Sequence, residues 1–160
     1  MEIYERNINI SCSELDEGRL KTKASLLDLN HNMRVVITIE KHSRMIVDAD
    51  ARMVKIPFDV CQLTAARIKN IIGFTIERGI NKRLGDALGR SEGCSHLFEL
   101  ALEAVRLSSN ILLGFSHMEE EWRDRHNLSE QEFIDQAKPF LKNTCLPFHE
   151  PAMKESADGV

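Results

Sequence analysis

The segment VVITIEKHSRMIVDADARM, residues 35–53, carries the pattern that decides the fold. Its first five residues are all β-branched, which strands favour, and they are followed by the polar stretch Lys41–Arg44. After that stretch, apolar side chains recur at every second position: Met45, Val47, Ala49, Ala51 and Met53. This alternation predicts a second strand with one buried face, so the segment predicts a β-hairpin.

The residues before this hairpin repeat the two-residue period. Alternate positions from Leu20 to Leu26 are apolar or hydroxyl-bearing, and the residues between them are mostly charged or polar. This pattern predicts a half-buried strand. A weaker alternation over Ile3–Ile10 predicts an edge strand. We therefore expect an antiparallel sheet of about three to four strands.

After Pro57 the apolar spacing becomes that of a helix. Asp59 is placed to cap a helix that runs to Ile72, and Phe58 and Leu63 are placed to form a hydrophobic staple across its start. The sequence therefore predicts an α-helix directly after the sheet.

Two further helices complete the pattern. One is predicted over about residues 96–113, and a second begins at the capping box of residues 129–132. Strands followed by a helical layer predict an α+β fold. We expect residues 1–146 to form a single domain and residues 147–160 to form a loose tail.

Length and composition restrict the class of protein. A chain of 160 residues with 42% hydrophobic and 29% charged residues is typical of one globular domain. The net charge of −4 leaves no basic surplus for nucleic acid, and we expect no nucleic-acid binding. No apolar run is long enough to span a membrane, and the first residues do not resemble a signal peptide. We therefore expect a cytoplasmic protein, with its protein partner and oligomeric state left open.

Four cysteines are the first candidates for chemistry: Cys12, Cys61, Cys94 and Cys145. In a reducing compartment they are expected to be thiols or metal ligands rather than disulfides. No two of them form the Cys-x-x-Cys spacing of zinc ribbons or ferredoxins. Any metal site must therefore combine distant segments.

Cys61 and Cys94 each lie at the start of a predicted helix, where the helix dipole stabilises the thiolate that binds metals. His96 follows Cys94 by two residues. The two cysteines are thus a candidate pair of metal ligands. The alternative is that both are small buried hydrophobic residues, the commoner role of a free cysteine.

The polar loop before the central strand supplies a third candidate ligand. His31 can bind a metal through an imidazole nitrogen, with Asp28 as a ligand or as the group that orients the ring. His96 and Cys145 are reserve ligands. The alternative is a turn in which Asn and Asp serve the backbone.

Two resemblances involve these residues. The boxes Leu27–His31, Ile56–Cys61 and Gly93-Cys94-Ser95-His96-Leu97 resemble those of an uncharacterised bacterial family of unknown function, in which a Gly-Cys-Thr-His-Leu box begins a helix. Membership of that family implies no established activity.

The order of elements is more distantly similar to the NifU/IscU-type iron–sulfur cluster scaffolds. In that register His31 corresponds to the scaffold's aspartate, Cys61 to its second cysteine and Cys94 to its last. Leu29 stands where the first scaffold cysteine is expected, and Gly93 where a histidine often precedes the last cysteine. This resemblance implies a zinc ion or an iron–sulfur cluster as cofactor.

The leading hypothesis is a metal-binding, scaffold-like protein that uses Cys61, Cys94 and His31, rather than an enzyme. The second is a non-metal interaction or ligand-binding module, in which the cysteines belong to the core and the region of Trp122 contacts a partner. The third is a thiol enzyme that uses Cys94 as its nucleophile.

Overall fold

The structure, a computed structural model, describes residue 1, residues 3–117 and residues 119–149. The chain divides into two compact units, residues 1–110 and the residues from Ile111 onward. The described elements are, in chain order: β1 (Arg6–Asp16), β2 (Arg19–Asp28), β3 (Asn32–Glu40), β4 (Met45–Lys55), a 3₁₀ helix (Asp59–Ile71), α1 (Ile80–Leu88), α2 (Ser95–His117), α3 (Glu119–Arg123), a 3₁₀ turn (Arg125–Asn127), α4 (Glu130–Leu141) and a second 3₁₀ turn (Leu146–Phe148).

Within the described residues the strands form one antiparallel sheet in the order β1-β2-β3-β4. This confirms the predicted sheet and the α+β class. One face of the sheet is buried and contributes these core residues: Leu20, Leu26, Met33, Val35, Ile37 and Ile39. Helix α2 lies against this face. The contact is shown by the buried hydroxyls of Thr22 on β2 and Ser108 on α2, which are 2.7 Å apart. The other face is polar and is largely exposed.

A β-bulge changes which residues of β4 are buried. Thr38 pairs with Asp48 and Ile39 pairs with Ile46, so Val47 is an extra residue on β4. Beyond it the inward positions shift by one, because side chains alternate between faces. Ile46 is buried, whereas Met45 and Val47 are 37% and 39% exposed. The expected burial of Met45 and Val47 was wrong.

The segment after the sheet is a 3₁₀ helix rather than the predicted α-helix. Phe58 occupies the position before its first residue and no side chain caps it. Phe58 and Leu63 are 69% and 75% exposed, so they form no staple. The buried residues are Ile68 and Ile71, three positions apart, which matches the three-residue turn of a 3₁₀ helix.

The loop before α2 has a close backbone contact at Gly93. A Cβ atom there would lie 2.0 Å from the carbonyl oxygen of Leu88 and 2.2 Å from that of Gly89. Cys94 then donates its N–H to Leu88 O at 2.8 Å, and its own carbonyl accepts from the N–H of Phe98 at 3.0 Å. Only glycine fits at this position, and the residue after it begins the hydrogen bonding of α2.

The second unit contains α4, whose predicted capping box is confirmed. Ser129 accepts from the N–H of Glu132, and the Glu132 carboxylate accepts from the N–H of Ser129. Phe148 is buried beside Ala137. Residues 150–160 of the expected tail lie outside the described residues, and the boundary at residue 146 stays a prediction. Among the described helices, none combines the length and the apolar character needed to cross a membrane.

Candidate functional site

Asp28, the last residue of β2, is the centre of a polar cluster. Its side chain is 0% exposed. Oδ1 accepts from Nδ1 of His31 at 2.9 Å and from the N–H groups of Asn30 and His31 at 2.8 Å, while Oδ2 accepts from Nε of Arg6 at 2.9 Å. Burial alone would raise the pKa of Asp28, but the hydrogen bonds from His31, Asn30 and Tyr4 outweigh it and hold the pKa well below its usual range.

The contact with Asp28 sets the tautomer of His31. An ionised carboxylate can only accept hydrogen bonds, so Nδ1 of His31 must carry a proton. When the ring is neutral, Nε2 therefore holds the lone pair. The His31 side chain is 10% exposed, so its orientation is maintained by the protein rather than by water. An imidazole that is oriented by a hydrogen bond to a buried carboxylate can serve as a general base.

A second imidazole lies beside the first. The rings of His31 and His96 have their centroids 4.0 Å apart and are tilted by 49°. Nη2 of Arg6 lies 3.1 Å from Nε2 of His96. A guanidinium has only donors, so Nε2 of His96 must accept, and its proton lies on Nδ1.

Burial and the nearby cations favour the neutral form of His96. Burial lowers its pKa most, and the nearby His31 and Arg6 lower it further, while Glu99 and Asp28 act in the opposite direction. Glu99 also contacts Nη1 of Arg6 at 3.5 Å. Arg6 thus joins Asp28, His96 and Glu99 and maintains one arrangement of both imidazoles.

The two rings carry complementary groups. His31 offers a lone pair on Nε2, and His96 offers an N–H on Nδ1. A base beside a neutral donor can take a proton from a substrate and stabilise the negative charge that develops. This is the chemistry that the cluster supports.

The structure brings together three of the predicted metal-site residues, Asp28, His31 and His96. In the described part of the chain, no group of three or more His, Cys, Asp or Glu side chains is arranged to hold a metal ion. Nε2 of His96 faces the cationic Arg6, whereas Nε2 of His31 keeps a lone pair because Asp28 contacts its Nδ1.

Among the described residues, no cysteine is part of a group of three or more His, Cys, Asp or Glu side chains that could hold a metal ion. Cys12, Cys61 and Cys94 are partly buried free thiols, and Cys145 is exposed. Cys145 belongs to the second unit, whereas the other three belong to the first. The side chain of Trp122, which the interaction hypothesis invoked, lies outside the described residues.

Arg6 and Glu99 were missed by the sequence reasoning, although each left a signal. Arg6 pairs directly with Asp28 across β1 and β2. Pairing β1 with β2 outward from the turn at Gly18 would have placed Arg6 within one residue of the position opposite Asp28. Glu99 lies one helical turn after His96 and therefore on the same face of α2.

Comparison with known proteins gives one match. The family described as "Protein of unknown function (DUF2889)" matches residues 4–108, a span that includes the whole polar cluster. No curated protein and no solved structure matches the chain. Membership of an uncharacterised family is thereby confirmed, while the Gly-Cys-Thr-His-Leu box and the likeness to iron–sulfur scaffolds stay predictions.

Proposed function

Since the chain belongs to the DUF2889 family of proteins of unknown function, its chemistry has to be inferred from the site, and we propose that the site catalyses proton transfer on a small carbonyl compound. The observation that supports this most directly is the imidazole pair. His31 is oriented by a buried carboxylate. The ring centroid of His96 lies 4.0 Å from that of His31, and each neutral ring carries its proton on Nδ1, which is set by its own contact: in His31 by Asp28 at Nδ1 and in His96 by Arg6 at Nε2.

The proposed step moves one proton. Nε2 of His31 takes a proton from the carbon next to the substrate carbonyl, and the C–H electron pair becomes the new double bond of an enolate. Asp28 stabilises the resulting imidazolium, as a buried carboxylate does in other acid–base sites. Nδ1–H of His96 donates to the enolate oxygen. Return of the proton to carbon restores neutral His31.

We expect this step to be visible as isotope exchange. In D₂O the protein should replace C–H by C–D at the carbon next to the carbonyl in at least one of a panel of small ketones, keto acids and thioesters, as followed by proton NMR. His31→Gln should lower the exchange rate at least 100-fold, since general-base catalysis contributes about that much or more.

The matched control is His42→Gln, because His42 is exposed and outside the cluster. This variant should exchange at the wild-type rate. Exchange by His31→Gln at the wild-type rate, or no exchange by the wild type with any compound of the panel, would reject proton transfer.

The metal hypothesis stays a prediction with its own test. If zinc or an iron–sulfur cluster is held by Cys61, Cys94 and His31, then Cys61→Ala and Cys94→Ala should each lose the metal, because every ligand of such a site is needed. Elemental analysis and absorbance spectra of untagged, anaerobically purified protein measure this. Cys12→Ala is the control and should retain the metal. Metal-free wild-type protein after reconstitution would contradict the hypothesis.

A further inference from the structure

The exposed face of the sheet carries a cluster of positive charge that the proton-transfer site does not use. Side chains of β2, β3 and β4 alternate between faces, so the register places Lys23, Arg34 and Arg52 together on this outer face. All three are exposed. The cluster lies on paired strands, and Arg34 and Arg52 pair between the two register shifts of β3 and β4.

Two of these cations are direct cross-strand neighbours. Arg34 on β3 pairs with Arg52 on β4. Opposed residues in a sheet have their Cβ atoms about 5 Å apart, and like charges in such a pair destabilise the sheet. A pair of opposed arginines is therefore a cost to the folded protein that a bound anion would remove.

Two carboxylates on the same face offset only part of this cost. In the described part of the chain, no acidic side chain forms an ion pair with Lys23, Arg34 or Arg52. Asp48 and Asp50 share the face, but both lie near Nζ of Lys69, at 3.4 Å and 4.0 Å. Lys23, Arg34, Arg52 and Lys69 are four cations against these two carboxylates, so the surface retains a net positive charge.

A cleft with polar and apolar walls lies beside Arg34, whereas Arg52 is not among the residues that line it. It has a volume of about 330 Å³ and includes Lys23, Arg34 and three neutral hydrogen-bonding residues, Asn9, Ser11 and Ser25. Arg34 pairs across the strands with Ser25, which in turn pairs with Asn9. Hydroxyl and amide groups thus continue the row of cations toward β1.

We propose that this cleft binds the phosphate dianion of a small phosphate monoester. Lys23 and Arg34 line the cleft, and Arg52 lies next to it as the cross-strand neighbour of Arg34. The two guanidinium groups are forked donors that fit phosphate oxygens, and Lys23 provides a third cation. Three cations match a dianion better than a singly charged carboxylate. The site is separate from the imidazole pair, which belongs to the opposite face of the sheet, and the proposal does not depend on proton transfer.

The test uses inorganic phosphate and the whole chain. Isothermal titration and amide NMR shifts are measured at pH 7.5 and at constant ionic strength set with chloride. Wild-type protein should bind saturably, with shifts at Lys23, Ser25 and Arg34. Arg34→Gln and Arg52→Gln should each raise Kd about tenfold or more, since a charge-assisted hydrogen bond is lost. Acetate, a monoanion, should bind more weakly than phosphate.

Arg78→Gln is the charge-matched control, because Arg78 is also exposed but lines a different cleft. It should leave Kd unchanged. Without phosphate, Arg34→Gln should melt no lower than wild type, because it removes the like-charge pair. Equal loss of binding in all three variants, non-saturable phosphate binding, or binding of a single-stranded oligonucleotide but not of phosphate would overturn the proposal.

Discussion

Asp28→Asn is expected to lower the free energy of unfolding by about 3 kcal/mol, because it breaks an ion pair whose carboxylate is fully buried and also hydrogen-bonded to His31. Asparagine has one acceptor oxygen, and its amide nitrogen would have to face a donor, either Nε of Arg6 or Nδ1–H of His31. Urea unfolding at pH 7 measures the change. The same variant should also lose the isotope exchange, since His31 would no longer be held in its basic tautomer.

The pH dependence of the free energy of unfolding identifies why Asp28→Asn is less stable. A carboxyl group whose pKa is lowered by folding adds stability above its ordinary pKa of about 3.9, and this stability is lost as the pH falls further. The difference between wild type and Asp28→Asn should therefore shrink in urea titrations near pH 3.

Asp86→Asn is the control, because Asp86 is an exposed partner of Arg90 and should contribute little. A pH-independent difference between wild type and Asp28→Asn would show that the loss comes from packing.

Gly93→Ala should cost at least about 2 kcal/mol, since an added methyl group would meet two carbonyl oxygens at 2.0 Å and 2.2 Å. The oxygen of Leu88 cannot move away freely, because it accepts the N–H of Cys94. Relief of the clash must shift the start of α2 and with it His96. We therefore expect both a lower urea midpoint and weaker isotope exchange.

Gly85→Ala is the matched glycine variant, and it should raise the free energy of unfolding rather than lower it. Its Cβ atom would lie 3.8 Å from Phe98, an ordinary contact, and Gly85 lies inside α1. Alanine in a helix interior is favoured over glycine by about 0.5 to 1 kcal/mol. If Gly93→Ala were as stable as Gly85→Ala, the close approach at Gly93 would not exist in solution.

The sheet could be predicted because its signal is short-ranged. β2 and most of β3 alternate between buried and more exposed residues, and the turns between strands are polar. The bulge at Val47 could not be predicted, since one extra residue leaves the alternation of Met45 and Val47 looking unbroken. The 3₁₀ helix was missed because Ile68 and Ile71 are compatible with either type of helix over so few turns.

The candidate site was predictable only where its residues are close in sequence. Asp28 and His31 were paired correctly because three positions separate them across a tight loop. His96 was named for its neighbour Cys94 rather than for its contact with His31, which depends on how α2 packs on the sheet. The contact between Arg6 and Asp28 could be predicted only from the register of β1 against β2, and a bulge between Glu14 and Asp16 shifts that register.

Because the residues of the polar cluster are far apart in the sequence, they leave the ribosome at different times. Asp28 and His31 can meet as soon as their loop leaves the ribosome, whereas Arg6 and Glu99 are 93 positions apart. Synthesis at about 5–20 residues per second places several seconds between the appearance of the two imidazoles. The nascent chain thus carries a lone imidazole base first, and it gains the paired donor only after the start of α2 has emerged.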